Sequence, residues 1–563
     1  MRRWLGAFVG GILAGSLVGA GVFAVASGPA GAADETDVPA VARFVEQTVT
    51  SGVRQVYDGD FHFYVGGGVA AFDCDGDRLA DLYLAGGENE AALYRNTSST
   101  GGDLELRRLD SPVTDLTGVT GAYPLDVDSD GTLDLAVLRV GENVMLRGLG
   151  GCRFERADEW SVDGGERWTA GFSATWEAGE ALPTLAFANY LEIAADEQNA
   201  RDCVPSMLVR PAGGAGYAAP TALEPGLCAL SALFSDWNGT GRTDLRLAND
   251  RHYYSEGSEQ LWRVEPGADP VAYGADDGWQ ELSIWGMGIA SADLTGDGLP
   301  EVVLSSQGDN KLQTLVGDGS SPHYTDIAIR AGTTAHRPFM GDQTYPSTAW
   351  HPELADVNND GVLDLFLSKG NVSTQVDHAA DDPSNLLLGR ADGTFVESAR
   401  EAGVVSLGLG RGAALVDLNA DGMLDLVEVS RSDAVRLWRN VGTGTASEPR
   451  PVGRWLALRL AQPPPNVDAV GAWVEVRAAG RVQTRQLTVG GGHAGGQLGW
   501  MHWGLGDAES AEVRVTWPDG QVGQWEQVSA EEFVTIERDD EHLSVWVPPP
   551  SVASAVEPDH TSP

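Results

Sequence analysis

A nine-residue pattern recurs six times along the chain, and it constrains the fold more than any other feature. It reads Asp, any residue, Asp/Asn/Thr, any residue, Asp/Thr, usually Gly, two further residues, then Asp/Glu. The copies are Asp73, Asp75, Asp77 and Asp81; Asp126, Asp128, Asp130 and Asp134; Asp236, Asn238, Thr240 and Asp244; Asp293, Thr295, Asp297 and Glu301; Asp356, Asn358, Asp360 and Asp364; and Asp417, Asn419, Asp421 and Asp425. Oxygens at positions 1, 3 and 5 of a tight loop converge on one point, position 7 adds a carbonyl, and position 9 closes the shell. That is the oxygen-rich coordination that Ca2+ takes, and Gly at position 6 permits the sharp bend. The flanks are short apolar runs, Gly68-Val69-Ala70-Ala71-Phe72 before the first loop and Leu82-Tyr83-Leu84 after it, so each loop joins two strands rather than the two helices of an EF-hand. One copy alone reads as an Asp-rich turn; six copies point to up to six bound Ca2+. The second loop has the fullest shell. The first carries Arg78 in place of glycine, which puts its geometry in question. The third offers only Asp236 and Asp244 as charged ligands and is expected to be weak or empty.

The first aspartates lie about 53 to 63 residues apart, except for one interval of twice that length between Asp126 and Asp236. A repeat that has lost its ligands fits midway, at Thr175-Trp176-Glu177-Ala178-Gly179-Glu180 followed by Leu185-Ala186-Phe187-Ala188. Seven units of roughly four strands predict an all-β chain, a seven-bladed β-propeller closed by radial repetition. Several units end in an aromatic strand and a glycine, as in Phe395-Val396-Glu397 with Gly403 and Tyr324-Thr325-Asp326 with Gly332. The last unit lacks this strand after Asn440, whereas the N-terminus has a spare one, Phe44-Val45-Glu46 with Gly52. The N-terminal strand is therefore expected to complete the last blade and hide two edges.

The formal charge of −44 excludes nucleic acid as a natural partner. Arg2 and Arg3 precede the uncharged run 4–26, and Ala30-Gly31-Ala32 offers a cleavage site. Residues 1–33 thus read as a signal peptide, or as a membrane anchor if uncleaved, the only membrane connection expected. Export places the four cysteines in an oxidising compartment. Three pairings exist, and Cys203–Cys228, which closes a short loop, is expected together with Cys74–Cys152. The product would be secreted, periplasmic or held at the cell surface.

Runs such as Ala355-Asp356-Val357-Asn358-Asn359-Asp360-Gly361-Val362-Leu363-Asp364-Leu365 resemble FG-GAP/VCBS repeats. After the repeats, Arg454-Trp455-Leu456-Ala457-Leu458, Val470-Gly471-Ala472-Trp473-Val474-Glu475-Val476, Gly490-Gly491-Gly492, His502-Trp503-Gly504-Leu505-Gly506 and Trp517-Pro518-Asp519-Gly520 resemble an ASPIC/UnbV domain. That pairing is similar to the cartilage acidic protein family, and it implies an extracellular Ca2+-binding protein without supplying a reaction. The resemblance departs at residues 495–499, where relatives carry a Gln-Ser stretch. The implied organisation is a propeller over 34–450, an ASPIC/UnbV β domain over 451–540 with strands near 455–460, 472–477, 482–489, 512–517 and 533–537, and a Pro-rich disordered tail over 541–563.

All the acidic loops fall on one face of such a ring. The opposite face receives segments unlike one another, and a binding surface is often built on a repeated scaffold in this way. From these segments His62, Tyr64, His252, Tyr253, Trp285, Tyr345, Trp350, His351 and Arg411 are the candidate ligand-binding residues, suited to an extracellular carbohydrate or a protein loop. His62, His252 and His351 also suit a transition metal, although no short His–His or Cys–Cys spacing supports one. The expected role is a binding or adhesion module. The alternative is a carbohydrate lyase or hydrolase, for which a Tyr–His–Arg group within hydrogen-bond reach would be the sign.

Overall fold

The computed structural model describes residues 38–194, 202–214, 216–250, 257–341, 344–538 and 543–549. The expected export segment and the candidates His252 and Tyr253 lie outside the described residues. Among the described residues no helix is long and apolar enough to cross a membrane.

The chain is all-β and propeller-like. Its first unit runs antiparallel through Val69–Phe72, Asp81–Leu84, Ala92–Asn96 and Leu106–Leu109. The same order recurs in the strands beginning at Val119, Glu166, Ala229, Gly286 and Ala349. The innermost strands pack each on the next, and Leu409–Val416 packs back on Val69–Phe72, so the ring is closed. Second strands such as Asp364–Lys369 are buried throughout. They are covered on both faces by neighbouring sheets, which is why they read as apolar runs without alternation. The last unit, Leu409–Val416, Asp425–Arg431 and Arg436–Gly442, takes its fourth strand from the N-terminal Arg43–Glu46, with Phe44 opposite Asn440 and Glu46 opposite Trp438. The aromatic–glycine signature marks the outer strand followed by a four-residue helix, Ala328–Ala331 or Ala399–Ala402, which Gly332 and Gly403 end at φ +82 and +84.

Beyond Gly442 two four-stranded sheets face each other. One contains Met501–Gly506, Arg454–Ala461, Glu532–Glu537 and Ser544–Trp546; the other contains Arg481–Gln486, Trp473–Ala478, Ser510–Thr516 and Glu526–Ser529. Val474, Val476, Val513 and Val515 meet Leu456, Leu458 and Val534 between them, in a core continuous with that of the first ring units. Two sequence expectations need correction. The domain does not stop at 540: Ser544–Trp546 pairs with Glu532–Glu537, and the Trp546 ring packs 5.1 Å from Phe533, so this part of the expected disordered tail is held by an aromatic contact. The strand expected over 482–489 ends at Gln486, because the chain leaves the sheet there and enters the ring.

Residues 487–499 form a loop that enters the axial channel and lies along the innermost strands. Val489 accepts from Ala174 N at 3.1 Å, Gly491 N donates to Ala232 O at 2.7 Å, and Gly492 N donates to Ile289 O at 2.7 Å. Gln497–Leu498 then pairs in parallel with Ala71 and Phe72. At the far point His493 Nδ1 donates to Met287 O at 2.9 Å, while its Nε2 accepts from Gly66 N at 3.1 Å. Backbone-to-backbone approach requires small residues on both sides. A Cβ on Gly68 or Gly121 would strike the Ala494 carbonyl, and one on Gly492, already at φ +59, would strike the His351 ring.

Candidate metal loops and the opposite face

Each acidic loop lies between an innermost strand and its neighbour. In the second, Asp126 accepts from Asp130 N at 3.2 Å and from Gly131 N at 2.8 Å, so its carboxylate folds the loop over itself. Asp356 and Asp417 repeat this with Gly361 N and Gly422 N, both at 2.7 Å. The sixth-position glycines at 131, 241, 298, 361 and 422 all have φ between +77 and +88. Arg78 adopts the same backbone at φ +72, and its N–H reaches Asp73 at 2.9 Å, so the first loop keeps its geometry at the cost of a strained residue. Cys74, at position 2 of this loop, is bonded to Cys152, and Cys203 to Cys228, as expected from the spacing.

The ninth-position carboxylate has a second role that the pattern does not reveal. Asp134 accepts from Val127 N at 2.7 Å and from Gly148 N at 2.8 Å, tying the loop to the third strand. Asp81, Asp364 and Asp425 make the equivalent pair of bonds. All four are at most 1% exposed. Burial raises Asp134 to about 8, opposed by its two N–H donors and reinforced by Asp128 and Asp126. Burial likewise raises Asp81 to about 8 and Asp126 to about 7.

The donor sets fit a hard dication unequally. One ligand oxygen from each of Asp73, Asp75 and Asp81 lies within 4.8 Å of the others, and the same holds for Asp126, Asp128 and Asp134. Asp128 Oδ1 and Asn419 Oδ1 are buried without a hydrogen-bond donor, as ligand oxygens awaiting a cation would be. Third-strand arginines supply part of the countercharge: Arg95 meets Asp75 at 2.5 Å and Arg147 meets Asp128 at 2.9 Å. The third loop is different. Arg242 donates to both oxygens of Asp244 at 3.1 Å, and Tyr273 and Trp237 donate to it as well. Its charge is already balanced by the chain. In the unit without a motif Arg210 meets Glu177 at 2.5 Å and plays the same part.

The C-terminal domain sits on these loops. Trp500 Nε1 donates to Arg78 O at 3.0 Å in the first, Asn466 N to Ser129 Oγ at 3.0 Å in the second, and Trp473 Nε1 to Asp236 at 3.2 Å in the third. The fifth loop is held most closely. Asn359, at φ +61, accepts from Gly506 N at 2.8 Å through its carbonyl and from His502 Nε2 at 2.7 Å through its side chain. A Cβ on Gly504 would strike the Asp356 carboxylate, and one on Gly422 of the sixth loop would strike the Trp455 ring. In the HWGLG motif His502, Gly504 and Gly506 are polar or small enough to lie against the loop, whereas Trp503 and Leu505 are buried in the hydrophobic core. Among the described residues no hydrogen bond joins the fourth loop to this domain.

The opposite-face candidates separate by burial. Tyr345 is 49% exposed. His62, Tyr64 and Trp285 are half-buried; His62 touches Asp60 at 3.2 Å and Ile193 O at 2.9 Å, and the Arg431 guanidinium lies 4.5 Å over the Tyr64 ring. Trp350, His351 and Arg411 are not on an open surface, having 0%, 4% and 0% exposure. Arg411 donates to Tyr64 O at 2.8 Å, Gly410 O at 2.9 Å and Val372 O at 2.7 Å, and stacks 4.1 Å over Trp350. His351 Nδ1 accepts from His493 N at 3.0 Å. His351 and Trp350, whose ring lies 5.0 Å from that of His493, hold the tip of the axial loop, and Arg411 backs Trp350; the loop is a partner about 80 to 140 residues downstream that no local pattern announces.

Comparison with known proteins agrees with the motifs. The profile for ASPIC and UnbV matches residues 462–543, and that for the FG-GAP-like repeat matches 73–137 and 293–367. Cartilage acidic protein 1 of Xenopus tropicalis is 26% identical over 262 residues, which are 44% of this chain and 35% of that protein. Cartilage acidic protein 1 of Mus musculus is 26% identical over 252 residues, with the same shares. The match therefore spans about a third of the length of these curated relatives. Among solved structures, the Dos1 propeller aligns over 73% of this chain and 97% of its own at 10% identity, with a TM-score of 0.36, from which nothing further is argued.

Proposed function

We propose that this chain, with its FG-GAP-like repeats and ASPIC/UnbV segment, is an exported, calcium-loaded seven-bladed β-propeller that binds an extracellular carbohydrate or protein. The carrying observation is the set of acidic loops at one end of a closed ring, with convergent carboxylates and the buried, donorless Asp128 Oδ1 and Asn419 Oδ1. Ca2+ supplies the countercharge that lets these carboxylates stay ionised while buried. The first, second, fourth, fifth and sixth loops hold it, and the third is filled last because Arg242 already serves Asp244. The similarity to cartilage acidic protein 1 and the two disulfides support a secreted, periplasmic or cell-surface location. The remaining open ligand candidates are His62, Tyr64, Trp285 and Tyr345, on the face opposite the loops. The test is metal analysis of the purified protein followed by a glycan array in Ca2+ with the wild type and with Trp285→Ala and Tyr345→Ala. Several bound Ca2+ per chain, and array signals that fall at least about tenfold in the variants, are expected. Absence of Ca2+ or signals indifferent to both substitutions would overturn the corresponding half of the reading.

A further inference from the structure

We infer that cation occupancy of the acidic loops holds the C-terminal domain in its seat and the axial loop 487–499 in the ring, so that loss of the cation releases that loop. This rests on the calcium reading above. The domain has its polar seat on the loops themselves: Arg78 O, Ser129, Asp236 and Asn359 are all loop atoms, and Asp356 lies directly beneath Gly504. A cation bound by the loop oxygens would fix their convergence on one point, a constraint that its loss removes, and hydrogen bonds of 2.7 to 3.2 Å are lost when the loop backbone moves by about an ångström.

The axial loop is tied to the ring mainly by bonds to its backbone, which need the loop to follow one path through the channel. It is built on Gly490, Gly491, Gly492, Gly495 and Gly496, bonds chiefly through backbone, and anchors two polar side chains, His493 on Met287 O and Gly66 N and Gln497 on Glu353. Glycine loses more conformational freedom on ordering than any other residue, so these bonds oppose a large ordering cost and are helped by fixing the two ends of the loop. Those ends are the strands Arg481–Gln486 and Met501–Gly506, and the second carries His502, Gly504 and Gly506 against the fifth loop. Among the described residues the fourth loop has no such bond. Two substitutions at the same loop position, each removing one ligand charge, therefore separate this coupling from general destabilisation.

The experiment is hydrogen–deuterium exchange on the full chain, reading peptides that cover 487–499, alongside calorimetric Ca2+ titration. In Ca2+ the wild-type peptides are protected, and EDTA raises their exchange at least tenfold. Asp360→Asn, in the fifth loop, shows raised exchange even in Ca2+ at concentrations that saturate the wild type. Asp297→Asn, in the fourth, keeps wild-type protection at 487–499 although it too loses a ligand. Calcium that binds by calorimetry while exchange at 487–499 stays unchanged would overturn the inference and leave the calcium reading standing. Equal opening in both variants would overturn it as well. No calcium binding at all would overturn both.

Discussion

Asp134→Ala separates the two roles of the ninth-position carboxylate. The substitution removes the acceptors of Val127 N and Gly148 N, at 2.7 and 2.8 Å, in a site 1% exposed to solvent. Each buried donor left without a partner costs about 1 to 3 kcal/mol, so the pair amounts to roughly 2 to 6 kcal/mol. An opposing effect is the relief of repulsion with Asp128 and Asp126. It is small near pH 7 in the absence of a cation, because burial raises this carboxyl to about 8 and it is then mostly protonated. Asp130→Ala, at the exposed fifth position, removes only one bond, from Thr132 N at 2.8 Å, and should cost less than about 1 kcal/mol without a cation. Equilibrium urea unfolding followed by tryptophan fluorescence, in EDTA and in millimolar Ca2+, reads both. In EDTA Asp134→Ala should be several kcal/mol less stable than the wild type and Asp130→Ala nearly unchanged; in Ca2+ both should lose ground. Equal stability of the two variants in EDTA would refute the assignment of Asp134 as a clamp on the third strand.

The loop carboxyls also set a pH dependence. Asp81 and Asp134 are raised to about 8 in the folded chain from a model-compound value of 3.8, so between about pH 4 and 8 the folded state binds more protons than the unfolded. Stability in EDTA should therefore fall as pH rises across that window, by up to about 1.4 kcal/mol per pH unit for each such group. The gain in melting temperature on adding Ca2+ should be larger at pH 8 than at pH 5, and a gain independent of pH would contradict the raised values. In saturating Ca2+, Asp130→Ala should lower the melting temperature more than Thr240→Ala, because the third loop already has Arg242 as its cation; thermal melting at fixed free Ca2+ decides the order.

The sequence by itself determined what is local and periodic. Six copies of one short pattern located the loops, the doubled interval located the unit without ligands, and the missing aromatic strand after Asn440 located the partner of Phe44. Each of these follows from ligand spacing, strand alternation or the need to cover an edge, and a few neighbouring residues express it. Only the tertiary structure decided what enters the channel and what the C-terminal domain rests on. Trp350, His351 and Arg411 read as ring-face aromatics and cations because nothing near them in sequence indicates that His493 and Gly492 return to cover them. Gly490-Gly491-Gly492 read only as part of a domain motif, because backbone-to-backbone packing has no side-chain period. The second role of Asp134 was equally hidden, since its acceptors serve amides of residues whose identity does not matter. Contacts made by backbone groups across hundreds of residues leave almost no trace in residue type, whereas metal ligands and strand faces must be written in it.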